Sequence, residues 1–283
     1  MCRLFAQVGG IARTAEHFLL DASQPFRQLG AEHPHGGSLA GFDRAGNAIV
    51  HKFTTPIHAT PGYDDAVRGL HSPLILSHLR NASPGMGGIL ARNEHMWARD
   101  GRIFAHNGAF HDKRHLDGLL RGETVPDGSD TDSARYFAIL NRAINDLDGD
   151  VREAVARTIP MLEREAPAPR GYNFVLGVAG RDGAPDELWA LRNPATNSLF
   201  LRTVGADHAA RGVAELGTHP ATIAAAGGRS GLDAAHDSMT IVTSQPLDHE
   251  HGWQEILPGQ LVHVRAGSPP QIEQLLPPRG HAP

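Results

Sequence analysis

The chain contains 283 residues, of which 40% are hydrophobic and 20% charged, a composition typical of soluble globular proteins that build their own core. Its net charge is −5 and no block of Lys or Arg occurs, which argues against nucleic acid or an anionic membrane as a partner. A single cysteine excludes an internal disulfide framework. Since the sequence shows neither a signal-peptide pattern nor an apolar run of roughly 18 residues, we expect a cytoplasmic protein.

Short alternating or apolar runs bounded by Gly, Pro, Asn and Asp recur along the chain and predict β-strands. The predicted strands are Cys2–Val8, Ile49–Thr54, Leu74–Leu79, Arg102–His106, Tyr172–Ala179, Glu187–Leu191, Ser198–Thr203, Met239–Thr243 and Gln260–Val264. The turn-forming residues Arg192–Asn197 predict a hairpin that joins the strand before them to the strand after them.

Helical periodicity occurs in fewer segments. Apolar residues at helical spacing predict one helix over Thr131–Asn145 and another that begins after Asp150, which can cap it. Shorter helices are predicted at Arg13–Leu20 and Asp64–Leu70. Because strands and helices do not alternate strictly, we expect an α+β protein with mainly antiparallel sheets and helices packed on their outer faces.

Two segments lack such periodicity. Residues 205–238 are rich in Ala, Gly and His and are predicted to form a mobile surface insertion. Residues 266–283 are rich in Pro and are predicted to be a C-terminal tail. Residues 2–265 are then expected to form one domain.

The only cysteine, Cys2, directly follows the initiator methionine. If Met1 is removed, the thiol and a free α-amine belong to one residue. An amine with a reference pKa of about 7.7–8.0 can take the proton of the thiol near neutral pH. Inert cysteines usually lie in cores, and a position next to the chain start is a poor place for that. Cys2 is therefore a candidate nucleophile.

Three further polar motifs are candidates for a site. Arg80 ends a predicted strand, where its guanidinium can either bind a carboxylate bidentately or form a surface salt bridge. Asn107 and Gly108 end another strand and offer two neighbouring N–H donors, as an oxyanion hole needs, or an ordinary turn. Asp130 and Asp132 lie at a predicted helix start, either as binders of a substrate ammonium or as helix caps.

The 18 histidines invite a metal-site interpretation, which their spacing does not favour. None shows the His-Glu-x-x-His spacing of a zinc protease, and no cysteine is available for a mixed Cys/His site. We therefore expect no metal. The histidine pairs considered are His33 with His35, His111 with His115, and His249 with His251.

The order of these motifs is informative. A cysteine after Met1, His-Leu-Arg ending at Arg80, Phe-Ala-His-Asn-Gly over 104–108 and Thr-Asp-Ser over 131–133 together resemble the class II glutamine amidotransferases. These are N-terminal nucleophile (Ntn) hydrolases. The resemblance spans residues 2–265 and implies a four-layer αββα fold, with two antiparallel sheets between helix layers.

Two other segments resemble the stand-alone members of this family, including those similar to the γ-glutamyl amide hydrolase of ergothioneine synthesis. They are Asn93-Glu-His95 and Val242–Asp248, which Trp253 follows. The chain also departs from its relatives. It has His35-Gly-Gly-Ser38 where many have Gly-Trp-Gly, and Asn81 where many have an aromatic residue. These departures concern the walls of the glutamine pocket, and so the identity of the substrate.

The resemblance implies a role for each motif residue. Arg80 would hold the α-carboxylate of the substrate, and Asp132 would hold its α-ammonium, with Asp130 as the neighbour that can be confused with it. The implied residues are Cys2 as the nucleophile, Asn107 and Gly108 as the oxyanion hole, and Arg80, Ser83 and Asp132 as substrate-binding residues.

The implied reaction is hydrolysis of the γ-amide of glutamine or of a γ-glutamyl compound, which releases ammonia or an amine. It needs no cofactor, because a thiolate and two hydrogen-bond donors suffice. One version is a glutaminase subunit that supplies ammonia to a separate synthase chain, and another is a free-standing hydrolase of a γ-glutamyl metabolite. The alternative is a catalytically silent binding or regulatory subunit with the same fold, which a retained Met1 would favour.

Overall fold

Two antiparallel sheets stack face to face, and helices cover both outer faces. This is the four-layer αββα arrangement of the α+β class, so the fold prediction is confirmed. Ser83 and the predicted insertion, apart from its end residues Gly205 and Ser238, lie outside the described residues. The computed structural model describes residues 1–82, 88–110, 112–166, 171–193, 197–205 and 238–278.

Every strand predicted from the sequence is present in the described ranges. The predicted and observed ends differ by at most two residues, except at the end of the first strand. Four strands of the structure were not predicted, namely Gly37–Phe42, Trp97–Arg99, Gln254–Glu255 and Gln271–Gln274. In chain order the strands are β1 (Arg3–Arg13), β2 (Gly37–Phe42), β3 (Ala48–Phe53), β4 (Ser72–Leu79), β5 (Trp97–Arg99), β6 (Arg102–Asn107), β7 (Asn173–Val178), β8 (Glu187–Leu191), β9 (Phe200–Val204), β10 (Met239–Thr243), β11 (Gln254–Glu255), β12 (Gln260–Arg265) and β13 (Gln271–Gln274).

The strands form two sheets whose order determines which residues meet. The first sheet has the order β11-β9-β10-β1-β4-β2-β3 and the second the order β13-β12-β8-β7-β6-β5. In the first sheet, β1 is central and pairs antiparallel with β4, with Arg3 opposite Leu79. The start of β1 therefore lies beside the end of β4, which brings Cys2 next to Arg80.

Both long predicted helices are present, and their first turns are capped by side chains. The Asp150 carboxylate accepts a hydrogen bond from Glu153 N at 2.9 Å, as predicted. The other long helix is capped by Thr131, whose hydroxyl accepts from Ala134 N at 3.2 Å. The helices are α1 (Pro61–Gly69), α2 (Lys113–Leu119), α3 (Asp132–Asp146) and α4 (Val151–Glu165).

Five shorter helical segments complete the described part of the chain. The helix predicted at Arg13–Leu20 is replaced by one π-helical turn at its end. None of the described helices is long and apolar enough to cross a bilayer. The short segments are the π turn His17–Asp21 and the 3-10 turns Phe26–Ala31, Ile57–Ala59, Ala91–Asn93 and Pro126–Gly128.

Side chains fill the space between the layers as the two-residue period of the strands requires. Alternate residues such as Leu4 of β1, Leu76 of β4 and Ile103 of β6 are buried in the layer between the sheets. The intervening residues pack outward against helices, as Phe104 does beneath α3 and α4 and Phe5 does on the other side. The sandwich thus has an internal core and two outer cores.

The predicted hairpin around Arg192–Asn197 is wrong. Strand β8 pairs with β7 and β12 in the second sheet, whereas β9 pairs with β10 and β11 in the first. The connection between them therefore crosses from one sheet to the other. Turn-forming residues show that the chain changes direction there, but they do not determine which partner the next strand finds.

The predicted tail also requires a correction. Residues Gln271–Gln274 form β13, which pairs antiparallel with β12 at the edge of the second sheet. Leu276 just beyond it is buried. All four residues of β13 are exposed, because an edge strand with one free face needs little apolar character, and its sequence therefore gave no strand signal.

Candidate active site

The alternation of side chains places the candidate residues at one end of the layer between the sheets. Cys2 is in register with Leu4, and Arg80 with Leu76, both of which lie in the internal core. Asn107 of β6 continues the inward-facing series of Ile103 in the opposite sheet. All three candidate residues are buried.

The thiol of Cys2 contacts the backbone that follows Arg80. Asn81 N donates to Sγ at 3.5 Å, and Sγ lies 3.9 Å from Asn81 O. Burial raises the pKa of the Cys2 thiol, although the Asn81 contact and the charge of Arg80 act in the opposite direction. A thiol in this position is therefore largely protonated near neutral pH, and a nucleophilic role requires a base.

His33 lies beside the peptide that joins Met1 to Cys2. Its Nε2 is 2.8 Å from Met1 O, and its Nδ1 is 2.6 Å from Leu29 O. Burial lowers the pKa of His33, so the ring is neutral and carries one N–H. Only one of these two carbonyl oxygens can therefore receive a hydrogen bond from the ring.

Arg80 is not a surface residue. Its side chain is 3% exposed, and Nη1 donates to Glu94 Oε1 at 2.9 Å and to Gly88 O at 3.1 Å. Its backbone N–H donates to Gly36 O at 2.9 Å, so the glycine loop before β2 holds the end of β4. The salt-bridge alternative from the sequence is thus present, but in a buried form.

Glu94 is the most deeply buried charged group of the site, with a side chain that is 0% exposed. Its Oε2 is buried and has no hydrogen-bond partner among the described residues. Burial raises the pKa of Glu94 from 4.5 to about 7, and this effect outweighs the attraction of Arg80. No role for Glu94 could be predicted from the sequence.

Asn107 and Gly108 are held where β6 ends. Asn107 O accepts from Asn197 Nδ2 at 3.0 Å, and Asn107 Oδ1 is buried with no partner among the described residues. A Cβ at Gly108 would lie 2.0 Å from Gly171 O and 2.5 Å from His106 Nε2. Only glycine fits there, because the neighbouring backbone approaches too closely for any side chain.

The structure separates the two candidate aspartates. Asp132 is 5% exposed, and its Oδ2 accepts from Phe110 N at 2.7 Å, which ties the carboxylate to the segment after Gly108. Asp130 is exposed and forms a surface ion pair with Lys113 at 2.6 Å. Neither aspartate is the N-cap of α3, because that residue is Thr131.

The tripeptide Asn93–His95 connects the parts of this site. Asn93 Oδ1 accepts from Asp130 N at 2.9 Å, next to the start of α3. Glu94 pairs with Arg80, and His95 Nδ1 accepts from His106 N at 3.2 Å on β6. From the sequence, this motif indicated only a resemblance to a subgroup. In the structure, its three side chains form hydrogen bonds with three different parts of the fold.

Two further buried histidines, His78 and His106, lie beside His95 of the tripeptide. The ring of His78 stacks on that of His95 with 3.8 Å between centroids, and His106 Nδ1 lies 2.9 Å from Ser133 Oγ. Burial lowers the pKa of His78, His95 and His106, so these rings are neutral at pH 7. The described residues contain no cluster of His, Cys, Asp and Glu side chains arranged to hold a metal ion.

The crossover between the sheets joins the two halves of the site. Asn197 Nδ2 donates to Asn107 O, and the next residue, Ser198, donates to Ser244 O at 2.7 Å. Ser244 Oγ in turn accepts from Leu4 N at 2.9 Å on β1. Sequence reasoning missed Asn197 and Glu94, because a turn composition and one Glu beside a strand carry no signal of such contacts.

A family profile described as glutamine amidotransferases class-II matches residues 1–280. A search of curated proteins found no match. Among solved structures, the chain is similar to a glutamine aminotransferase class-II domain protein from Silicibacter pomeroyi, with 19% identity, a TM-score of 0.59, and coverage of 98% of this chain and 100% of that chain. It is also similar to a predicted glutamine amidotransferase from Pseudomonas aeruginosa PA01, with 15% identity, a TM-score of 0.54, and coverage of 94% and 98%.

A larger protein shares the fold as well. Glutamine phosphoribosylpyrophosphate amidotransferase from B. subtilis has 12% identity and a TM-score of 0.60, and the match covers 97% of this chain but 49% of that one. These low identities show a common fold, and the profile match shows the family. Since that match covers nearly the whole chain, the protein belongs to the class II glutamine amidotransferases, a family of enzymes.

Proposed function

We propose that the protein hydrolyses the γ-amide of glutamine or of a γ-glutamyl compound, with Cys2 as the nucleophile. The observation that carries the proposal is the position of Cys2 on the inner face of one sheet. There it is beside the buried Arg80, and a chain of hydrogen bonds connects the start of its strand to the end of β6 at Asn107. A nucleophile, two donors for an oxyanion and a cation for a carboxylate are the groups that amide hydrolysis of an amino acid requires.

In the proposed reaction, the α-amine of Cys2 takes the proton of the thiol, directly or through a water. The thiolate forms a bond to the γ-carbon, and the side-chain amide of Asn107 and the N–H of Gly108 stabilise the oxyanion. The C–N bond then breaks, and ammonia or an amine leaves with the proton from the amine of Cys2. Water attacks the glutamyl thioester, the C–S bond breaks, and the thiol is restored.

The substrate's amino-acid end would lie between two opposite charges. Arg80 would bind the α-carboxyl and Asp132 the α-ammonium, with Ser83 near the carboxyl. The burial of Asp132 and the surface ion pair of Asp130 with Lys113 favour Asp132 for this role. Lining a buried site with one cation and one anion is the usual way to orient a zwitterion.

The mechanism requires removal of Met1, because the amine must belong to Cys2. The surroundings of His33 support this. The neutral ring of His33 faces two carbonyl oxygens but has only one N–H to donate. When Met1 is removed, its carbonyl oxygen is lost, and the single N–H then matches the one carbonyl oxygen that remains. The nitrogen of Cys2 is two bonds away from Met1 O. After removal of Met1, His33 Nε2 would therefore lie near the free amine of Cys2.

We propose that the enzyme acts in the cytoplasm without a cofactor, either as a free-standing γ-glutamyl amide hydrolase or as a glutaminase that supplies a separate synthase chain. The second candidate function, a catalytically silent subunit, is favoured only by retention of Met1. The deciding experiment is an activity screen of glutamine and γ-glutamyl amides, with Cys2→Ala as the control. Activity that persists in Cys2→Ala would contradict the proposal, as would failure of a glutamine-mimicking electrophile to label Cys2.

A further inference from the structure

Arg80, the residue proposed to bind the substrate α-carboxyl, already forms an ion pair with a carboxylate of the protein. Both protons of Arg80 Nη1 are used, one by Glu94 Oε1 at 2.9 Å and one by Gly88 O at 3.1 Å. A bidentate, end-on ion pair needs one N–H from each of the two terminal nitrogens. In this arrangement Arg80 therefore cannot form such a pair with a second carboxylate.

Glu94 is held in this position from several sides. A Cβ on Gly36, whose φ is +113°, would lie 3.0 Å from Glu94 Cδ, so this glycine loop packs directly against the carboxyl group. The side chains on either side of Glu94 are also fixed, because Asn93 accepts a hydrogen bond from Asp130 N and His95 accepts one from His106 N. Glu94 is thus a built part of the site.

The charges of the site can then be added. Arg80 contributes one positive charge, whereas Glu94 and Asp132 contribute one negative charge each. The three buried histidines are neutral, and the charge of Lys52, the other cation that acts on Glu94, is offset by Asp127 at 2.6 Å. With Glu94 ionised, and with the α-amine of Cys2 in the neutral form that acts as the base, the site has a net charge of −1.

A substrate with an α-ammonium and an uncharged α-carboxyl brings this total to zero. Free glutamine is a zwitterion, so it leaves the total at −1 and places a second carboxylate beside Glu94 on one guanidinium. A repulsive element of this kind in a buried site is a common basis of specificity, because it weakens binding of the disfavoured ligand. Glu94 supplies such an element.

We infer that Glu94 is a specificity-determining residue, and that the site prefers glutaminyl or γ-glutamyl compounds whose α-carboxyl is masked as an amide or ester over free glutamine. The inference rests on the proposed function, since it concerns the substrate of the same site. It predicts that Arg80 donates to a neutral carbonyl oxygen while its charge remains paired with Glu94.

The test compares kcat/KM for glutaminamide and for glutamine at pH 7.5, with the products identified by mass. The wild type should hydrolyse the γ-amide of glutaminamide at least as efficiently as that of glutamine. Glu94→Gln, which has nearly the same shape without the charge, should shift the ratio toward glutamine by about tenfold or more. Glu123→Gln removes a carboxylate that pairs with Arg99 at the surface, and should leave the ratio unchanged.

A wild type with a higher kcat/KM for glutamine than for glutaminamide would overturn the inference. An unchanged ratio in folded Glu94→Gln would do the same, and Glu94 would then be only a counter-ion for Arg80. If Glu94→Gln does not fold, the preference of the wild type decides the question alone. Absence of hydrolysis of either compound, together with an unlabelled Cys2, would instead refute the proposed function.

Discussion

Replacing Glu94 by Gln is expected to change how the stability of the protein depends on pH. Burial raises the pKa of Glu94 from 4.5 to about 7. Between these values the folded chain keeps a proton that the unfolded chain has lost. The free energy of unfolding therefore falls as the pH rises through this window. The stabilising contribution of the protonated carboxyl is complete below pH 4.5 and has been lost above about pH 7.

The magnitude follows from the shift. At 1.36 kcal/mol per pKa unit, a change from 4.5 to about 7 corresponds to a loss of about 3 kcal/mol across the window. Solvent screens the charge of Glu94 little, because its side chain is 0% exposed. Such a loss is a large part of the 5–15 kcal/mol that typically stabilises a domain.

The assay is urea unfolding of the wild type and of Glu94→Gln at several values between pH 5 and pH 8. All other groups titrate in both proteins, so the difference between the two free energies isolates Glu94. Loss of the partner of Arg80 adds an offset that does not vary with pH. The wild type should lose about 2–3 kcal/mol relative to the variant over this range. A constant difference would refute the reasoning and show that the Arg80 ion pair balances burial, and a wild type that gains stability with pH would show that the ion pair outweighs it.

Three further predictions concern the reaction. Asn107→Ala should lower kcat about 10²–10³-fold with a smaller change in KM; an unchanged kcat with rate-limiting chemistry would remove Asn107 from the oxyanion hole. Asp132→Asn should reduce the preference for substrates that carry an α-amine over analogues that lack it, whereas Asp130→Asn, at the surface ion pair, should retain it; equal behaviour of the two variants would contradict the assignment. Intact-mass measurement should show a chain that begins at Cys2, and a fully active population with Met1 would contradict the proposed base.

The positions of the strands could be read from the sequence because hydrophobic alternation and turn residues are local properties. Nine predicted strands and both long helices are present, and the order of the motifs indicated the family that the profile match then showed. The alternation also explains why Cys2, Arg80 and Asn107 face the same interior layer. Each follows the register of a strand whose buried face was already apparent.

Strand pairing was not local, and the tertiary structure alone decided it. The connection from β8 to β9 has the composition of a hairpin loop, yet it crosses between the sheets. Asn197 in this connection donates to Asn107 O, and the hydrogen bonds of the next residue lead through Ser244 to β1, the strand that follows Cys2. The pairing of distant strands depends on which apolar faces of the strands pack against each other. The residues of a turn do not determine this.

The charge environment of the site was equally hidden. The motif resemblance favoured Asp132 over its neighbour Asp130, and in the structure burial and the ion pair with Lys113 distinguish the two aspartates. Glu94 belongs to a motif that the sequence connected only with a subgroup of the family, and its burial against Arg80 became apparent only in the fold. A residue's type and spacing determine what chemistry it can perform, whereas its pKa and its partners arise from desolvation and from contacts between elements distant in the chain.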